Sequence, residues 1–339
     1  MGGASARSNL ASFSASTGYL SSTFTPNPND DVYALHTGAS RLFVGGKFTS
    51  IAGSSRNYFG AITSAGTLDS TSPSTDGYVQ AIETVGGMIY LGGSFNQVTV
   101  SSTTTNRSRL AAFSLAAWAL QSWDPGADAT VFALEAIENI AVPMVMVGGA
   151  FTIAGGRTDN FLAKISTSTG LAETAIPFNP NITGTSVRTI AYNPGGNLYI
   201  GGIFTDGGGG NANYEVLDVS TGASAAVTAG ADNSVYTIQI DPVDPTDPTV
   251  SMLYIGGSFT TVAGQGGRNG FAKIDVFAAH ADSGLSFDPT TGSTTYAVCP
   301  GANETDVYFG GNFAVVQETM EADPAPSTAG MNSTMGTSL

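Results

Sequence analysis

A short hydrophobic pattern recurs six times along the chain: three apolar residues, two glycines, one variable residue and a phenylalanine. Successive copies lie 47, 56, 53, 55 and 54 residues apart, measured between their first glycines. A period of this length and constancy is typical of a repeat protein. The glycine pairs and their phenylalanines are Gly45, Gly46 and Phe48; Gly92, Gly93 and Phe95; Gly148, Gly149 and Phe151; Gly201, Gly202 and Phe204; Gly256, Gly257 and Phe259; and Gly310, Gly311 and Phe313.

Each repeat contains four short apolar runs separated by turn residues, which predicts four strands, A to D. In the third repeat these runs start at Val131, Pro143, Asn160 and Leu171, and the glycine pair ends strand B. No run has a sustained helical stripe, and four strands in about fifty residues match one propeller blade. The sequence therefore predicts an all-β fold, a six-bladed β-propeller with four antiparallel strands per blade.

The two ends of the chain complete the blade count. Residues Arg7–Asn27 match strands C and D, whereas Thr295–Ala314 match strands A and B. We expect these segments to pair in one sheet, because a blade shared between the ends closes the ring and covers an open sheet edge. Residues 1–314 are thus predicted to form a single propeller, and residues 315–339 a polar C-terminal tail.

The glycine pair and the phenylalanine that follows it have a structural interpretation. Absent Cβ atoms allow a bulge or the close approach of a neighbouring blade, and the phenylalanine is expected to fill the space between blades. The alternative, a ligand-binding loop, would require six sites. We therefore assign the pattern to packing between repeats.

Arginines recur just before strand C, on the face that the B–C and D–A loops share in a propeller. They are Arg7, Arg56, Arg107 (or Arg109), Arg157 and Arg268. One interpretation is that each guanidinium binds loop carbonyls or an aspartate of a neighbouring blade. The alternative is a ring that binds an anion or glycan. The structural interpretation is favoured, because all repeats but one contain the arginine.

Composition excludes several classes of function. Only 11% of the 339 residues are charged, and 26 acidic residues outnumber 11 basic ones, which gives a net charge of −15. This charge disfavours nucleic-acid binding and attraction to anionic membranes. No apolar stretch is long enough for membrane insertion. The opening residues lack the apolar core of a secretion signal, so a virion subunit is one expected route to the outside.

No set of residues matches a known catalytic or metal-binding pattern, so we expect a non-enzymatic protein without cofactors. His36 and His280 lie far apart in the sequence, and Cys299 is expected to be a buried, inert thiol. The acidic pairs Asp30–Asp31 and Glu135–Glu138 could in principle serve glycoside hydrolysis. Aspartates in turns explain the first pair better. The segment DPVDPTDP (residues 241–248) is an acidic turn that lacks the EF-hand pattern.

The repeat string, glycine pair, Phe-Thr, Arg-Asn and then Phe-x-Pro, resembles the delta-60 repeat family of bacterial surface and secreted proteins. More distantly it is similar to kelch propellers. The resemblance covers Arg7 to Ala314, although repeat four has DGGGGNANYEV in place of the arginine. It implies a propeller in an extracellular setting and assigns no chemistry.

Two hypotheses for function follow. The first is a non-enzymatic, extracellular structural or attachment module in a virion or cell-surface assembly, with protein or glycan partners. The alternative is a carbohydrate-binding or glycan-cleaving propeller that acts at the face formed by the B–C and D–A loops. Exposed aromatics clustered with carboxylates on that face would favour the alternative. Trp118 and Trp123, assigned to the outer region near strand D, are poorly placed for it.

Overall fold

The computed structural model describes residues 7–13, 19–138, 143–172, 178, 180–225, 229–240, 252–275, 280–281, 289–290, 294–300, 307–312 and 317–318. The regular secondary structure of these residues consists of β-strands joined by turns and loops, and no helix occurs among them. All strand pairs are antiparallel. The chain divides into two compact units, Met1–Ala175 and Ile176–Leu339.

The first unit contains four sheets of three strands, of which three are the main sheets of repeats 1 to 3. The strands at positions A, B and C are β1 (Val32–Gly38), β2 (Arg41–Gly46) and β5 (Phe59–Thr63); β7 (Val79–Val85), β8 (Met88–Gly93) and β11 (Leu110–Ser114); and β12 (Val131–Ile137), β13 (Met144–Gly149) and β16 (Leu162–Ser166). Shorter strands lie in the loops: the pair β3 (Ser50–Ile51) and β4 (Ser54–Ser55); the three-stranded sheet of β6 (Ser74–Thr75), β9 (Gln97–Val100) and β10 (Thr103–Asn106); and the pair β14 (Ile153–Ala154) and β15 (Arg157–Thr158).

The second unit contains repeats 4 to 6. Its strands are β17 (Thr183–Asn193), β18 (Asn197–Asp206) and β19 (Tyr214–Asp218); β20 (Val235–Ile240), β21 (Met252–Gly257), β24 (Phe271–Asp275) and β25 (His280–Ala281); and β27 (Thr294–Pro300) with β28 (Val307–Asn312). The shorter strands are β22 (Thr261–Val262), β23 (Gln265–Gly266), β26 (Pro289–Thr290) and β29 (Gln317–Glu318).

Position D is described in part. Among the described residues, β25 forms a two-residue strand there, and repeats 1 to 4 show one bridge each, such as Ile165 with Ala172 in repeat 3. Residues 173–177 of the predicted strand D in repeat 3 lie outside the described residues. Phe13 and Leu20 form the same kind of bridge near the N-terminus. The tail also differs from expectation at one point, because β29 pairs with β26. The rest of residues 315–339 lies outside the described part of the chain.

All six A–B pairs contain the same β-bulge. In repeat 2, Val79 pairs with Gly93 and Ala81 with Gly92, so Gln80 is the extra residue of strand A. The other extra residues are Tyr33, Phe132, Arg188, Tyr236 and Tyr296. A bulge redirects the side chain of its extra residue relative to the sheet. We call the end of each sheet where strand B finishes and strand A begins the double-glycine end.

The two glycines have different roles in this geometry. A Cβ built on Gly92 would lie 2.6 Å from Cγ1 of Val131 in the next repeat, and one on Gly45 would lie 2.7 Å from Cγ1 of Val79. A Cβ on Gly93 would collide with the carbonyl oxygen of Tyr78, beside the bulge. The first glycine thus permits close packing between repeats, and the second permits the bulge.

Core side chains fill the spaces between successive sheets of each unit. Phe95 packs with Phe43 and Phe59 of the preceding repeat, and Phe151 packs with Tyr90 and Trp123. Phe48, Phe95, Phe151, Phe204 and Phe259 are all buried. Phe313 lies outside the described residues.

Candidate functional site

The predicted arginine ring is made of half-buried side chains that bind their own chain. Arg7 donates from Nη2 to the Ser21 carbonyl at 2.7 Å and from Nε to the Phe24 carbonyl at 3.0 Å. Arg56 donates to the carbonyls of Ser70 and Ser72.

Arg107 repeats this pattern in repeat 2, where Nη2 donates to the Gln121 carbonyl at 2.9 Å. Its Nη1 lies 3.5 Å from Asp124 Oδ2. Arg7, Arg56 and Arg107 each reach a carbonyl fourteen residues later. They therefore hold the segment around position D, which supports a structural role rather than an anion site.

The other two predicted arginines occupy the same place before strand C. Arg157 Nε lies 2.9 Å from Oδ1 of Asp159, a carboxylate that is almost fully buried. Arg268 is half-buried, and its backbone N–H donates to the Thr260 carbonyl at 3.0 Å. All five arginines thus lie in loops at the double-glycine ends of their units.

Three tyrosines cluster at the double-glycine ends of repeats 1 and 2. Tyr33 is the bulge residue of β1, and Tyr58 and Tyr78 directly precede β5 and β7. The ring centroids of Tyr33 and Tyr78 are 6.2 Å apart at 66°, and those of Tyr58 and Tyr78 are 5.4 Å apart at 72°. Tyr33 is 46% exposed and Tyr78 37% exposed. These aromatic rings are therefore accessible to a partner.

Charged groups border this cluster. The Tyr33 hydroxyl donates to Asp31 Oδ2 at 3.4 Å, and Lys47 Nζ lies 3.4 Å from Asp30 Oδ2. A hydrogen bond from the Asp31 backbone N–H, aided by Lys47, lowers the pKa of Asp30. The carboxylate of Asp30 is therefore ionised at neutral pH. We call Asp30, Asp31, Tyr33, Lys47, Tyr58 and Tyr78 the tyrosine cluster.

The second unit has a smaller aromatic group built from the same bulge. The rings of Tyr236 and Tyr296 are 5.3 Å apart, and the guanidinium of Arg188 lies 5.7 Å from the Tyr236 ring centroid. Tyr296 is 54% exposed. Sequence reasoning missed both aromatic groups. The sequence signal that could have found them is an aromatic residue at the second position of the A–B pairing in four repeats. These residues are Tyr33, Phe132, Tyr236 and Tyr296, and each follows a Val or Thr.

His36 and Glu83 lie farther along strands A, away from the double-glycine ends. His36 Nε2 is 2.9 Å from the Thr84 hydroxyl and 3.9 Å from Glu83 Oε1. Burial, with repulsion from Glu138, raises the pKa of Glu83 to about 7, although the Thr84 backbone N–H opposes the shift. Burial lowers the pKa of His36. His36 is thus neutral at neutral pH, whereas Glu83 is present in both its protonated and its ionised form.

Two sequence-based expectations about single residues need correction or qualification. Cys299 is exposed, not buried, because it lies on a solvent-facing position of β27. Trp118 and Trp123 are only 3% and 4% exposed and pack between repeats, so neither offers a platform to a ligand. The side chain of His280 and residues 241–248 lie outside what the structure describes.

The acidic and metal-ligating side chains of the described ranges are dispersed. No group of three or more His, Cys, Asp or Glu side chains there could hold a metal ion. Of the acidic pairs, Asp30 and Asp31 belong to the tyrosine cluster, Glu135 lies in β12 and Glu138 is exposed just after it. Nor do these ranges contain a helix long and apolar enough to cross a bilayer.

Comparison with known proteins gives the fold. No protein-family model matches the sequence, and no curated protein matches it. The structure is similar to the computationally designed protein Ika8, with a TM-score of 0.50 and 14% identity, over 85% of this chain and 70% of that chain. It is also similar to the WD40 β-propeller domain of Doa1, with a TM-score of 0.52 and 13% identity, over 85% of this chain and 77% of that chain. The chain therefore has an all-β fold of the β-propeller type.

Proposed function

We propose that the chain is a six-bladed propeller that serves as a non-enzymatic structural or attachment module of a virion or cell-surface assembly. Its partners, proteins or glycans, would bind at the double-glycine ends, where the B–C and D–A loops lie. The observation that supports this most directly is the set of exposed tyrosines at these ends: Tyr33 and Tyr296, which are bulge residues, and Tyr78, which directly precedes β7. Exposed aromatic side chains grouped in this way are typical of binding surfaces.

Six blades are supported by features within each unit. The six A–B pairs share one bulge. Near the N-terminus, Leu10 and Phe24 pack with Phe48 as one repeat packs on the next. The bridge between Phe13 and Leu20 matches the C–D bridges of other repeats. Residues 7–27 thus have the character of strands C and D of a blade that the C-terminal strands A and B would complete.

A closed ring can be tested by deleting residues 1–27. Loss of these residues would leave the pair β27–β28 without partners at positions C and D, so we expect aggregation and a lower melting temperature. The full chain is the control in size-exclusion chromatography and thermal unfolding. A truncated protein that stays monomeric with an unchanged melting temperature would contradict the split blade.

The alternative, a carbohydrate-active propeller, is favoured in its binding form by the tyrosine cluster. Cleavage would require one carboxylic acid kept protonated and a second carboxylate across the scissile bond. In the cluster, Asp30 has a lowered pKa and lies beside Lys47, so it is unsuited to donate a proton. Binding without cleavage is therefore the better-supported form.

The setting can be tested in the organism that encodes the protein. Intact cells would be labelled with a membrane-impermeant reagent, released particles would be sedimented, and an antibody would detect the protein in each fraction. We expect it in the labelled or sedimenting fraction, and detection only inside cells would refute the proposal. Lysine-reactive crosslinking is then informative, because the chain's lysines are Lys47, Lys164 and Lys273 and only Lys47 lies at a double-glycine end. Crosslinks to a partner should involve Lys47.

A further inference from the structure

We propose that the tyrosine cluster is a binding platform for a neutral saccharide. This inference rests on the proposed function, since it names the ligand of one part of the proposed binding face. The rings of Tyr33 and Tyr78 are exposed and inclined to one another, and Asp31 and Lys47 border them. An apolar ring surface bordered by donors and acceptors matches the two kinds of surface that a pyranose presents.

The backbone at Tyr58 has a conformation that the repeats share. Tyr58 has φ +64° and directly precedes strand C, and its N–H donates to the Phe48 carbonyl at 2.9 Å. The equivalent residues of repeats 2 to 5 make the same hydrogen bond with φ of +66°, +67°, +60° and +82°: Arg109, Phe161, Asn213 and Gly270. Asparagine and glycine adopt this left-handed conformation more easily than a bulky residue does. The fold therefore fixes the backbone at Tyr58 but does not require a tyrosine there.

The ring of Tyr58 connects it to the exposed tyrosines. Its ring contacts Tyr78 edge to face at 5.4 Å, and Tyr78 in turn contacts Tyr33. Aromatic pairs in this geometry attract each other beyond simple burial. Tyr58 therefore fixes the orientation of Tyr78, and an oriented ring loses less conformational entropy when a ligand binds.

Charge determines which saccharide fits. The cluster has two carboxylates, Asp30 and Asp31, against one ammonium group, Lys47. A net negative cluster on a chain of charge −15 repels uronic and sialic acids. A neutral sugar avoids this repulsion, since its hydroxyls can donate to the carboxylates and accept from Lys47. Its C–H faces can pack on the tyrosine rings, whose faces carry partial negative charge.

The size of the cluster favours a sugar over a protein. A specific protein interface involves about 20–30 residues on each side. The tyrosine cluster consists of the side chains already named, which fits one or two pyranose rings. Protein binding at the same residues is therefore an alternative that the experiment must separate.

The experiment measures binding of defined oligosaccharides to the full chain by saturation-transfer NMR and isothermal titration calorimetry. The neutral probes are cellotetraose, maltotetraose, mannotetraose and N-acetylchitotetraose, and 3′-sialyllactose is the anionic comparison. The variants are Y33A, the double variant Y33A/Y78A and Y58N. Y19A is the matched control, because Tyr19 is 77% exposed and lies outside the cluster. Circular dichroism and melting temperature confirm that each variant is folded.

We expect at least one neutral probe to bind wild type and Y19A with equal affinity. Y33A/Y78A should weaken that binding by tenfold or more, and Y33A should weaken it by a smaller factor. Y58N should also weaken binding while its melting temperature stays equal or rises, because asparagine relieves the backbone strain. A purely structural role for Tyr58 would instead lower the melting temperature of Y58N.

Three results would overturn the inference: no neutral probe binds wild type, only 3′-sialyllactose binds, or Y33A/Y78A binds as well as wild type. The proposed function fails by a different result, the absence of the protein from surface and particle fractions. A protein that crosslinks to Lys47 in wild type but not in Y33A/Y78A would refute the saccharide and retain the attachment role.

Discussion

Replacing Trp118 tests how one residue joins two repeats. Trp118 lies in the turn between positions C and D of repeat 2, with φ +55°. Its ring is 3% exposed and lies 6.0 Å from the rings of both Phe43 and Phe59 in repeat 1. The indole Nε1 donates to Asp69 Oδ2 at 3.1 Å, and the Arg41 guanidinium lies 5.7 Å from the ring centroid. In repeats 1, 3 and 4 the same turn position is a glycine: Gly66, Gly170 and Gly222, with φ of +80°, +71° and +74°.

Two effects of opposite sign set the expected free energies of unfolding. Truncating a buried tryptophan costs about 3–5 kcal/mol, so W118A should lose this amount. Glycine loses the same contacts but relieves a left-handed backbone that disfavours any Cβ by about 1–2 kcal/mol. W118G should therefore be more stable than W118A by about 1 kcal/mol. At ordinary strand positions the order is reversed, because glycine is the less stable by about 0.5–1 kcal/mol.

Urea unfolding can measure the order directly. Both variants retain Trp123, which is buried against Tyr90 and donates to the Ser166 carbonyl, so its fluorescence reports the same interface in each. Unfolding midpoints of wild type, W118A and W118G would be compared in one buffer. If W118G unfolds before W118A, or if both lose less than about 1 kcal/mol, the turn geometry or the burial assigned to Trp118 is wrong.

Three further predictions concern packing and pH. G92A should destabilise the fold by about 1–3 kcal/mol through overpacking against Val131. V131A should offset part of that loss, which a double-mutant cycle of thermal unfolding would show. Full additivity of the two changes would refute the contact between residues 92 and 131. Despite burial, hydrogen bonds from Thr residues and backbone N–H groups lower the pKa of Asp232 below 3.8, so its stabilisation is present above about pH 4 and is lost as the pH falls further. Asn29 makes the same backbone contacts in repeat 1, so D232N should fold, lose this charge-dependent stabilisation at neutral pH and show a flatter acid loss in thermal unfolding. The pKa of Glu83 is raised from 4.5 to about 7, so the contribution of this residue to stability declines as the pH rises through that range. E83Q should therefore raise the melting temperature at about pH 8 and leave it unchanged at about pH 4. An equal change at both pH values would contradict the shift.

The sequence predicted the strands well because hydrophobic periodicity and glycine pairs are local signals. In repeat 3, the predicted strand A from Val131 is β12, and the run from Pro143 contains β13. At position D the described residues show β25 in repeat 5 and single bridges in repeats 1 to 4. Apolar residues near this position, such as Trp123, pack between repeats.

The candidate site was not predictable from the same signals. The exposure of Tyr33 depends on one extra residue in the pairing of strands A and B, and register is a property of two segments together. Trp118 was placed near strand D, but its contacts with Phe43 and Phe59 of the preceding repeat could not be predicted, because they join segments distant in sequence. Cys299 was assigned to the interior from the hydrophobic character of its strand, yet it occupies an exposed position of that strand.

Comparison among the repeats separates structure from function in this chain. Positions that every interface needs are nearly constant, such as the glycine pair and its phenylalanine, because each neighbour imposes the same close contacts. The bulge position is different, since its side chain is half-buried or exposed and its identity varies among the repeats. It is filled by Tyr33, Gln80, Phe132, Arg188, Tyr236 and Tyr296.

Tyr58 occupies another position that varies among the repeats. The left-handed position before strand C is filled by different residues in repeats 2 to 5: Arg109, Phe161, Asn213 and Gly270. The fold therefore does not require a tyrosine there, and asparagine is compatible with this backbone because repeat 4 has it. The saccharide experiment therefore depends most on Y58N, since this variant separates what the fold needs from what a ligand needs at a single residue.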